Sequence, residues 1–170
     1  MAKYMKIKNF DIANGEGIGI SIFFSGCDKE PKCKGCFNSE SWSFDAGKPF
    51  TKEVRWELLN LLDNPHISHL SILGGEPLAK NNIDDVSYLC HKVKSVFPNK
   101  KIWVWTHYTW EELMNDELNY YLLKDIDVLV DGQYIEDQRD LTLKWRGSRN
   151  QRVIDMQESL KQNKVILYEN

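Results

Sequence analysis

No long apolar run occurs in this sequence, and this absence argues against a membrane-spanning helix. No window approaches the roughly 20 consecutive apolar residues that such a helix requires. The first six residues, MAKYMK, are charged but are not followed by the apolar stretch of a signal peptide. We therefore expect a cytoplasmic protein with no membrane partner.

Basic residues are not in excess either. The chain has 22 Lys and Arg against 25 Asp and Glu, which gives a net charge of -3. A protein that binds nucleic acid usually carries a clustered basic surface. The composition thus gives no support to nucleic acid as a partner, nor to binding at an anionic lipid surface.

Cysteine is scarce, with four residues among 170. A disulfide framework spreads its cysteines along a small chain, whereas a chain of this length is a single domain with enough core to be stable without cross-links. Three of the four, Cys27, Cys33 and Cys36, lie within ten residues. This clustering favours a reduced compartment in which the thiolates share a metal centre.

The segment that holds these cysteines, which we call the cysteine loop, covers residues 25–42 and reads SGCDKEPKCKGCFNSESW. Five residues separate Cys27 from Cys33, and two separate Cys33 from Cys36. The intervening residues are polar or turn-forming, so an exposed loop is predicted. A loop that folds around a metal needs this composition because its backbone must curl until the sulfurs converge.

Strand and helix patterns alternate along the chain. Strands are predicted over residues 18–24, 70–73, 101–106 and 126–130, with candidate late strands at 153–156 and 164–168. Helices are predicted to begin after Thr51, after Asn81 or Asn82, and after Thr109, which opens a capping-box pattern. This alternation indicates an α/β fold with a parallel sheet and helices outside it.

Four loops follow the predicted strands at their carboxyl ends. They are the cysteine loop, Gly74-Gly75-Glu76-Pro77, Thr106-His107-Tyr108 and Asp131-Gly132. Ligand-binding loops lie at these ends of the strands in parallel α/β architectures. We therefore expect the four loops to meet at one face and to form the active site.

Two kinds of metal centre fit three clustered cysteines. A structural zinc site needs a fourth protein ligand, here Cys90 or one of four histidines. Cys90 lies on the apolar stripe of a predicted helix, so we interpret it as a core residue, and His107 as a wall residue of the active face. Alternatively, three thiolates hold an iron–sulfur cluster and leave one iron open to a substrate or cofactor.

The motifs of this chain resemble those of the radical S-adenosylmethionine (SAM) enzymes, with three cysteines after a first strand and a Gly-Gly-Glu-Pro turn after the second. More narrowly, the chain resembles the family of activating enzymes that act on anaerobic ribonucleoside-triphosphate reductases. The matching pieces, from about residue 10 to about residue 154, lie at 14–18, 25–27, 33–38, 41–42, 73–78, 108–113, 127–132 and 145–151.

This resemblance implies a single radical SAM domain over residues 1–170, with an incomplete parallel β/α barrel, since a full barrel typically takes about 250 residues. It implies a [4Fe-4S] cluster on Cys27, Cys33 and Cys36, with SAM on the open iron. An electron from the cluster would cleave SAM to methionine and a 5′-deoxyadenosyl radical, which would take hydrogen from a glycine of the reductase. The implied partners are the glycyl-radical subunit of that reductase and an electron donor such as a flavodoxin-type protein.

SAM is expected to contact the strand-end loops, and no catalytic residues beyond the cluster ligands are expected. The expected SAM-binding residues are Gly35, Phe37, Gly74, Gly75, Glu76, Thr106 and Asp131. Glycines permit close backbone approach, and strand-end carbonyls can accept from an ammonium group. Asp131 either binds a ribose hydroxyl or caps its turn. Three roles are open for Trp145 and Arg146: ligand binding, contact with the partner protein, and packing.

Two features depart from the superfamily pattern. Three residues usually separate the first two cysteines, and the extra pair here lengthens the loop by about 7 Å of chain, which we expect a wider bend to absorb. The residue before the last cysteine is commonly aromatic but is Gly35 here, so Phe37 is expected to form the wall against the adenine. Two alternative functions remain: another small radical SAM enzyme, and a non-catalytic zinc-binding interaction module.

Overall fold

A computed structural model describes residues 1–168, in which seven strands form one sheet. The strands are β1 (Lys3–Asp11), β2 (Gly19–Phe24), β3 (Lys48–Pro49), β4 (His69–Gly74), β5 (Lys101–Trp105), β6 (Val128–Asp131) and β7 (Arg152–Asp155). The α-helices are α1 (Lys52–Leu62), α2 (Ile83–Val96), α3 (Trp110–Met114), α4 (Glu117–Leu123) and α5 (Met156–Gln162). No helix within residues 1–168 is long and apolar enough to cross a membrane.

The strands lie in the spatial order β3-β1-β2-β4-β5-β6-β7. The four strands β2, β4, β5 and β6 run parallel, whereas β1, β3 and β7 pair antiparallel with their neighbours. β2 pairs with β4 along its whole length, from Gly19 opposite His69 to Phe24 opposite Gly74. The predicted α/β class is confirmed as a mixed sheet with a parallel centre.

The parallel strands are buried on both faces. In β5, Ile102 and Val104 join the main core with the helices, while Trp103 between them belongs to a second cluster on the opposite face. Trp145 and Tyr168 pack against that second cluster. Two-sided burial also explains why all six residues of β2 are buried, although the sequence pattern indicated a strand with one face in the core.

The three predicted helices, α1, α2 and α3, begin where the sequence predicts. Thr51 precedes α1, whose Leu58 and Leu62 are buried, in agreement with the apolar spacing. Thr109 opens α3 with the predicted capping box: its hydroxyl accepts from Glu112 N, and the Glu112 carboxylate accepts from Thr109 N at 2.7 Å. The Thr109 cap fixes the point where the chain leaves the loop after β5, whereas Thr51 and Asn82 precede their helices without a side-chain cap hydrogen bond.

Four elements have no counterpart in the sequence predictions, namely β1, β3, α4 and α5. β1 is rich in lysine and only partly buried, so it lacks the apolar run that marks the central strands. α5 begins at Met156 because Asp155 caps it and accepts from Glu158 N at 3.0 Å. The predicted strand at 153–156 therefore ends one residue earlier, as β7.

The predicted strand at 164–168 is wrong. This segment joins β7 through a single bridge between Leu167 and Ile154 and a hydrogen bond from Tyr168 N to Val153 O. Within this segment, Tyr168 packs edge-on against Trp103 with 5.2 Å between ring centroids.

The amino ends of the parallel strands are closed by the turn between β1 and β2. Gly15 lies against the ring of His69 at the start of β4. The Gly15 carbonyl accepts a hydrogen bond from Trp145 Nε1 at 3.0 Å. The Tyr168 hydroxyl donates to the Glu16 carboxylate on the same turn. The carboxyl ends of the parallel strands lie at the opposite edge of the sheet and are not covered by this turn.

Candidate cluster and cofactor site

The loops at the carboxyl ends of β2, β4, β5 and β6 surround one cavity of about 590 Å³. This volume is typical of pockets that hold a small-molecule cofactor. The cavity is lined by the following residues predicted for the site: Cys27, Cys33, Cys36, Phe37, Gly74, Gly75 and Thr106. The structure therefore brings the strand-end loops together at one face, as the sequence predicts.

The three cysteines of the cysteine loop are free thiols on the wall of this cavity. Each is partly buried. Cys27 N donates to Trp42 O at 3.0 Å, so the first cysteine is tied to the far end of its own loop, and Cys36 N donates to Cys33 O at 3.3 Å. The loop thus curls back on itself around the side of the cavity where the thiols lie.

The chemistry of these thiols fits a metal cluster. Burial raises the pKa of Cys27 to about 11, and burial together with the charge of Cys36 raises the pKa of Cys33. Such thiols need a nearby cation to be held as thiolates. No three metal-ligating side chains within residues 1–168 converge on a point that suits one ion, but the thiolates of a four-iron cluster each bind a different iron.

Cys90, considered above as a fourth ligand for zinc, lies elsewhere. It is fully buried in α2 and belongs to the main core together with Val86 and Leu89. Burial strongly raises the pKa of its thiol. The interpretation of Cys90 as a core residue is confirmed.

The turn after β4 packs directly on the backbone of the cysteine loop. Gly74 has φ +124°, and a Cβ on Gly75 would lie 2.2 Å from the carbonyl oxygen of Gly26. Only glycine permits this approach. Glu76 N donates to the same Gly26 oxygen at 2.6 Å, and the buried amide of Asn82 donates to Glu76 O at 2.9 Å. Asn82, predicted only as a helix cap, therefore helps to fix the site.

Glu76 is fully buried, and its carboxylate is surrounded by donors. It accepts from Leu78 N at 2.9 Å, Thr106 Oγ1 at 2.8 Å and His107 N at 2.7 Å. Burial raises the pKa of this carboxyl, against the lowering effect of His107 and of the hydrogen bonds. Glu76 fastens the loop after β5 to the turn after β4, while Thr106 also lines the cavity.

Asp131 lies behind the cavity wall. It is buried and accepts from Trp110 N at 2.8 Å and from Arg152 Nε at 3.0 Å. Arg152 also donates to both oxygens of Glu111. The side chain of Asp131 thus holds the start of α3 and of β7, while its neighbour Gly132 lines the cavity.

Phe37 forms part of the cavity wall, and its ring lies 5.0 Å from the ring of Tyr134, centroid to centroid. Gly35, two residues earlier, has φ +72°, and a Cβ there would collide with the carboxylate of Glu136. The absence of a side chain at Gly35 lets the cysteine loop turn closely against the segment that bears Tyr134.

Residues 132–151, which we call the cover segment, supply a further wall of the cavity, of which only Gly132 was predicted for the active face. Its cavity-lining residues are Gly132, Tyr134, Leu141, Leu143, Trp145, Arg146, Gly147 and Gln151. Trp105 Nε1 donates to Trp145 O at 2.7 Å, and Arg146 Nη1 donates to Gln151 O at 2.7 Å. The Trp-Arg-Gly-Ser motif at residues 145–148 is the part of the sequence that indicated this wall.

Asp28, directly after Cys27, also went unrecognised in the sequence. Its Oδ1 lies 2.9 Å from His107 Nε2, and its Oδ2 accepts from the Tyr108 hydroxyl at 2.5 Å. Burial alone would raise the pKa of Asp28, but these hydrogen bonds outweigh burial and lower it. His107 is a wall residue of the cavity, as predicted.

One known protein family matches most of this chain. The family described as "4Fe-4S single cluster domain" matches residues 13–154, which places the chain in the class of proteins with one four-iron cluster. No solved structure shows a significant match.

Curated relatives narrow this class. The chain is 41% identical over 150 residues to a protein of Pasteurella multocida, covering 87% of this chain and 94% of the relative. It is 40% identical over 143 residues to a protein of Escherichia coli, covering 83% and 90% respectively. Both relatives are named anaerobic ribonucleoside-triphosphate reductase-activating protein. The chain belongs to this family of radical SAM enzymes with a 4Fe-4S cluster.

Proposed function

We propose that this protein is a radical SAM activase that generates a glycyl radical on an anaerobic ribonucleoside-triphosphate reductase. The observation that carries the proposal is the presence of three free thiols and the Gly74-Gly75 turn on the wall of one cavity. The names of the relatives support the reductase as the protein partner. For the electron donor we propose a flavodoxin-type protein, and for the location the cytoplasm.

Cys27, Cys33 and Cys36 would hold the [4Fe-4S] cluster and leave one iron open to SAM. When bound, the cluster and SAM supply the one-electron chemistry, so the chain itself needs no acid or base at the reacting atoms. The contribution of the chain is to bind, to orient and to shield. Much of the cavity wall consists of glycines, thiols and aromatic rings, and His107 and Arg146 also line it.

SAM would lie between the cysteine loop and the ends of β4 and β5. We propose that Phe37 faces its adenine and that the backbone at Gly74 and Gly75 accepts from its ammonium group, since both glycines line the cavity without a side chain in the way. Thr106 would contact the same ligand, because it also reaches the wall.

Three other residues would contribute to SAM binding from positions behind the wall. Glu76 and Asp131 keep their strand-end loops in place through buried hydrogen bonds. Gly35 allows the close turn beside Phe37. We retain all three in the proposed binding site, and a role for Asp131 at the ribose is tested below.

The sheet would curve into an incomplete barrel within one domain, residues 1–170. β3 and β7 are the two edge strands of the sheet. Trp145 donates a hydrogen bond to Gly15 O and accepts one from Trp105 Nε1, so it links the turn between β1 and β2 to the end of β5. An incomplete barrel leaves an opening through which the glycine-bearing segment of the reductase can reach the cavity.

Shielding is the remaining task of the wall. Phe23, Leu73 and Trp105 line the cavity from the strands, and Leu141 and Leu143 line it from the cover segment. These apolar groups limit the access of water and of adventitious hydrogen donors to the reacting atoms. Leu141 is 76% exposed, so it stands at the mouth of the cavity.

The test is glycyl-radical formation, measured by electron paramagnetic resonance on a mixture of reconstituted protein, reductant, SAM and anaerobic reductase. We expect a glycyl radical on the reductase with the wild type and with Cys90→Ala, and none with Cys33→Ala. Retained radical formation in Cys33→Ala would contradict the proposal. SAM cleavage without a radical on the reductase would indicate another small radical SAM enzyme.

A further inference from the structure

We propose that Asp28 is a positioning residue that fastens the lengthened cysteine loop to the loop after β5 and thereby fixes Cys27. The proposal rests on the proposed function, because the residue being fixed is a cluster ligand. It concerns the part of the chain that departs from the usual superfamily spacing, the five residues between Cys27 and Cys33.

Asp28 binds two side chains that are distant in sequence. Its two carboxylate oxygens meet His107 Nε2 at 2.9 Å and the Tyr108 hydroxyl at 2.5 Å, across 79 and 80 positions of the chain. The Asp28 side chain is 35% exposed and that of His107 only 15%. Hydrogen bonds to a charged group in such a partly buried setting are stronger than those between neutral groups.

Both partners of Asp28 are themselves held by the rest of the site. His107 N donates to the buried Glu76 carboxylate at 2.7 Å, and Tyr108 O accepts from Gly132 N at 2.9 Å. The loop after β5 is therefore already joined to the loops after β4 and β6. The cysteine loop is joined to this network before Cys27 by the hydrogen bond from Glu76 N to Gly26 O, and Asp28 adds a second, side-chain connection directly after Cys27.

The remaining polar side-chain contacts described for the inserted residues are local. Lys32 pairs with Glu30 and donates to Lys29 O, all within the same loop. Such contacts shape the insert but do not fix its position on the sheet. A longer loop has more conformational freedom to lose when its ends are brought together. The bonds of Asp28 offset that cost before any cluster binds, which is preorganisation.

The chain offers a matched control in the same loop. Glu30 carries the same charge two residues away, but its side chain is 75% exposed and pairs with Lys32, a neighbour in the same loop. Asp28→Ala removes both long-range bonds, Asp28→Asn keeps one acceptor oxygen, Tyr108→Phe removes one donor, and Glu30→Ala removes none of them.

The experiment measures two properties of each variant: the rate at which a chelator extracts iron from the anaerobically reconstituted protein, and the hydrogen exchange of backbone amides 27–36 in the iron-free protein. We expect Asp28→Ala to accelerate both by about tenfold or more, and Asp28→Asn and Tyr108→Phe to have smaller effects. Asp28→Ala combined with Tyr108→Phe should match Asp28→Ala alone, since both changes break the same bond. Glu30→Ala should match the wild type.

Wild-type behaviour of Asp28→Ala in both measurements overturns the proposal, as do fully additive effects in the double variant. A fall in thermal stability that accounts for the faster exchange along the entire chain also overturns it, because Asp28 would then support only the general fold. If the wild type takes up no iron, the proposed function fails, and exchange in the iron-free protein alone decides whether Asp28 positions the loop.

Discussion

Gly75 lies so close to Gly26 that a Cβ added to Gly75 would stand 2.2 Å from the Gly26 carbonyl oxygen. The turn after β4 and the start of the cysteine loop are therefore in backbone contact, without side chains between them. Because Cys27 follows Gly26 directly, any shift of this turn is transmitted to the first proposed cluster ligand. We therefore expect the glycine turn to support the proposed cluster as well as the proposed SAM site.

Gly75→Ala is expected to lower the free energy of unfolding by about 1–3 kcal/mol, because the methyl group forces two backbones apart. It should also reduce the iron content after reconstitution. Urea unfolding of the iron-free protein and iron analysis are the measurements. Gly132→Ala serves as the control, since Gly132 has φ +91° but a Cβ there would meet its nearest neighbour, Asn150 Nδ2, at an ordinary contact distance of 3.7 Å, so this variant adds backbone strain without a collision. Equal iron contents for the two variants would contradict the argument.

Glu76→Gln is expected to destabilise the protein by about 1–3 kcal/mol, since the amide NH₂ would face a backbone donor, either His107 N or Leu78 N. Urea unfolding measures this loss. Glu57→Gln on the exposed face of α1 is the control and should change stability by less than about 0.5 kcal/mol. A Glu76→Gln protein as stable as this control would show that the carboxylate does not join the two loops.

Asp11 provides a prediction about pH. Burial alone would raise its pKa, but hydrogen bonds from Ser21 Oγ, Ala13 N and other donors lower the pKa well below the ordinary value of 3.8. A carboxyl with a lowered pKa in the folded state stabilises the fold above its unfolded pKa, and this contribution is lost as the pH falls towards the folded pKa. Asp11 thus supports the fold at neutral pH.

Asp11→Asn should therefore be less stable than the wild type at pH 7, and the difference should shrink as the pH falls below about 4. Urea unfolding of the iron-free proteins at pH 7 and pH 3 measures this difference. A gap that stays constant or widens at pH 3 would contradict the assigned hydrogen bonds.

Asp131→Asn and Arg152→Lys should lower the free energy of unfolding by similar amounts, about 1–3 kcal/mol, because both disrupt one partly buried ion pair. Glu111→Gln should cost less, since Glu111 is 57% exposed. Direct contact of Asp131 with the ribose of SAM would appear as a loss of SAM affinity in Asp131→Asn beyond that in Arg152→Lys. Unchanged stability in Arg152→Lys would contradict the structural role.

Local sequence patterns predicted those parts of the site whose residues are close together along the chain. An apolar strand followed by glycine, as at Gly74, marks both the strand and its functional end, and the capping box at Thr109 carries its own hydrogen-bond partners. The face shared by the loops followed from these ends, because parallel strands point in one direction.

The rest could not be predicted in this way. β1 lies near the edge of the sheet and alternates lysines with partly buried residues, so it has no continuous apolar run. The contact of Asp28 with Tyr108 joins positions 80 residues apart, and that of Trp145 with Gly15 spans 130. Such pairs depend on the tertiary fold, and no local pattern encodes them.

Metal analysis tests the central claim most directly. The protein would be purified and reconstituted anaerobically, and its iron, zinc and sulfide contents and visible spectrum would be measured with and without SAM. The account predicts about four irons and four sulfides per chain, a brown colour, and a spectral change when SAM is added. One zinc, no sulfide and no colour after reconstitution would contradict it and identify the cysteine loop as a structural zinc site.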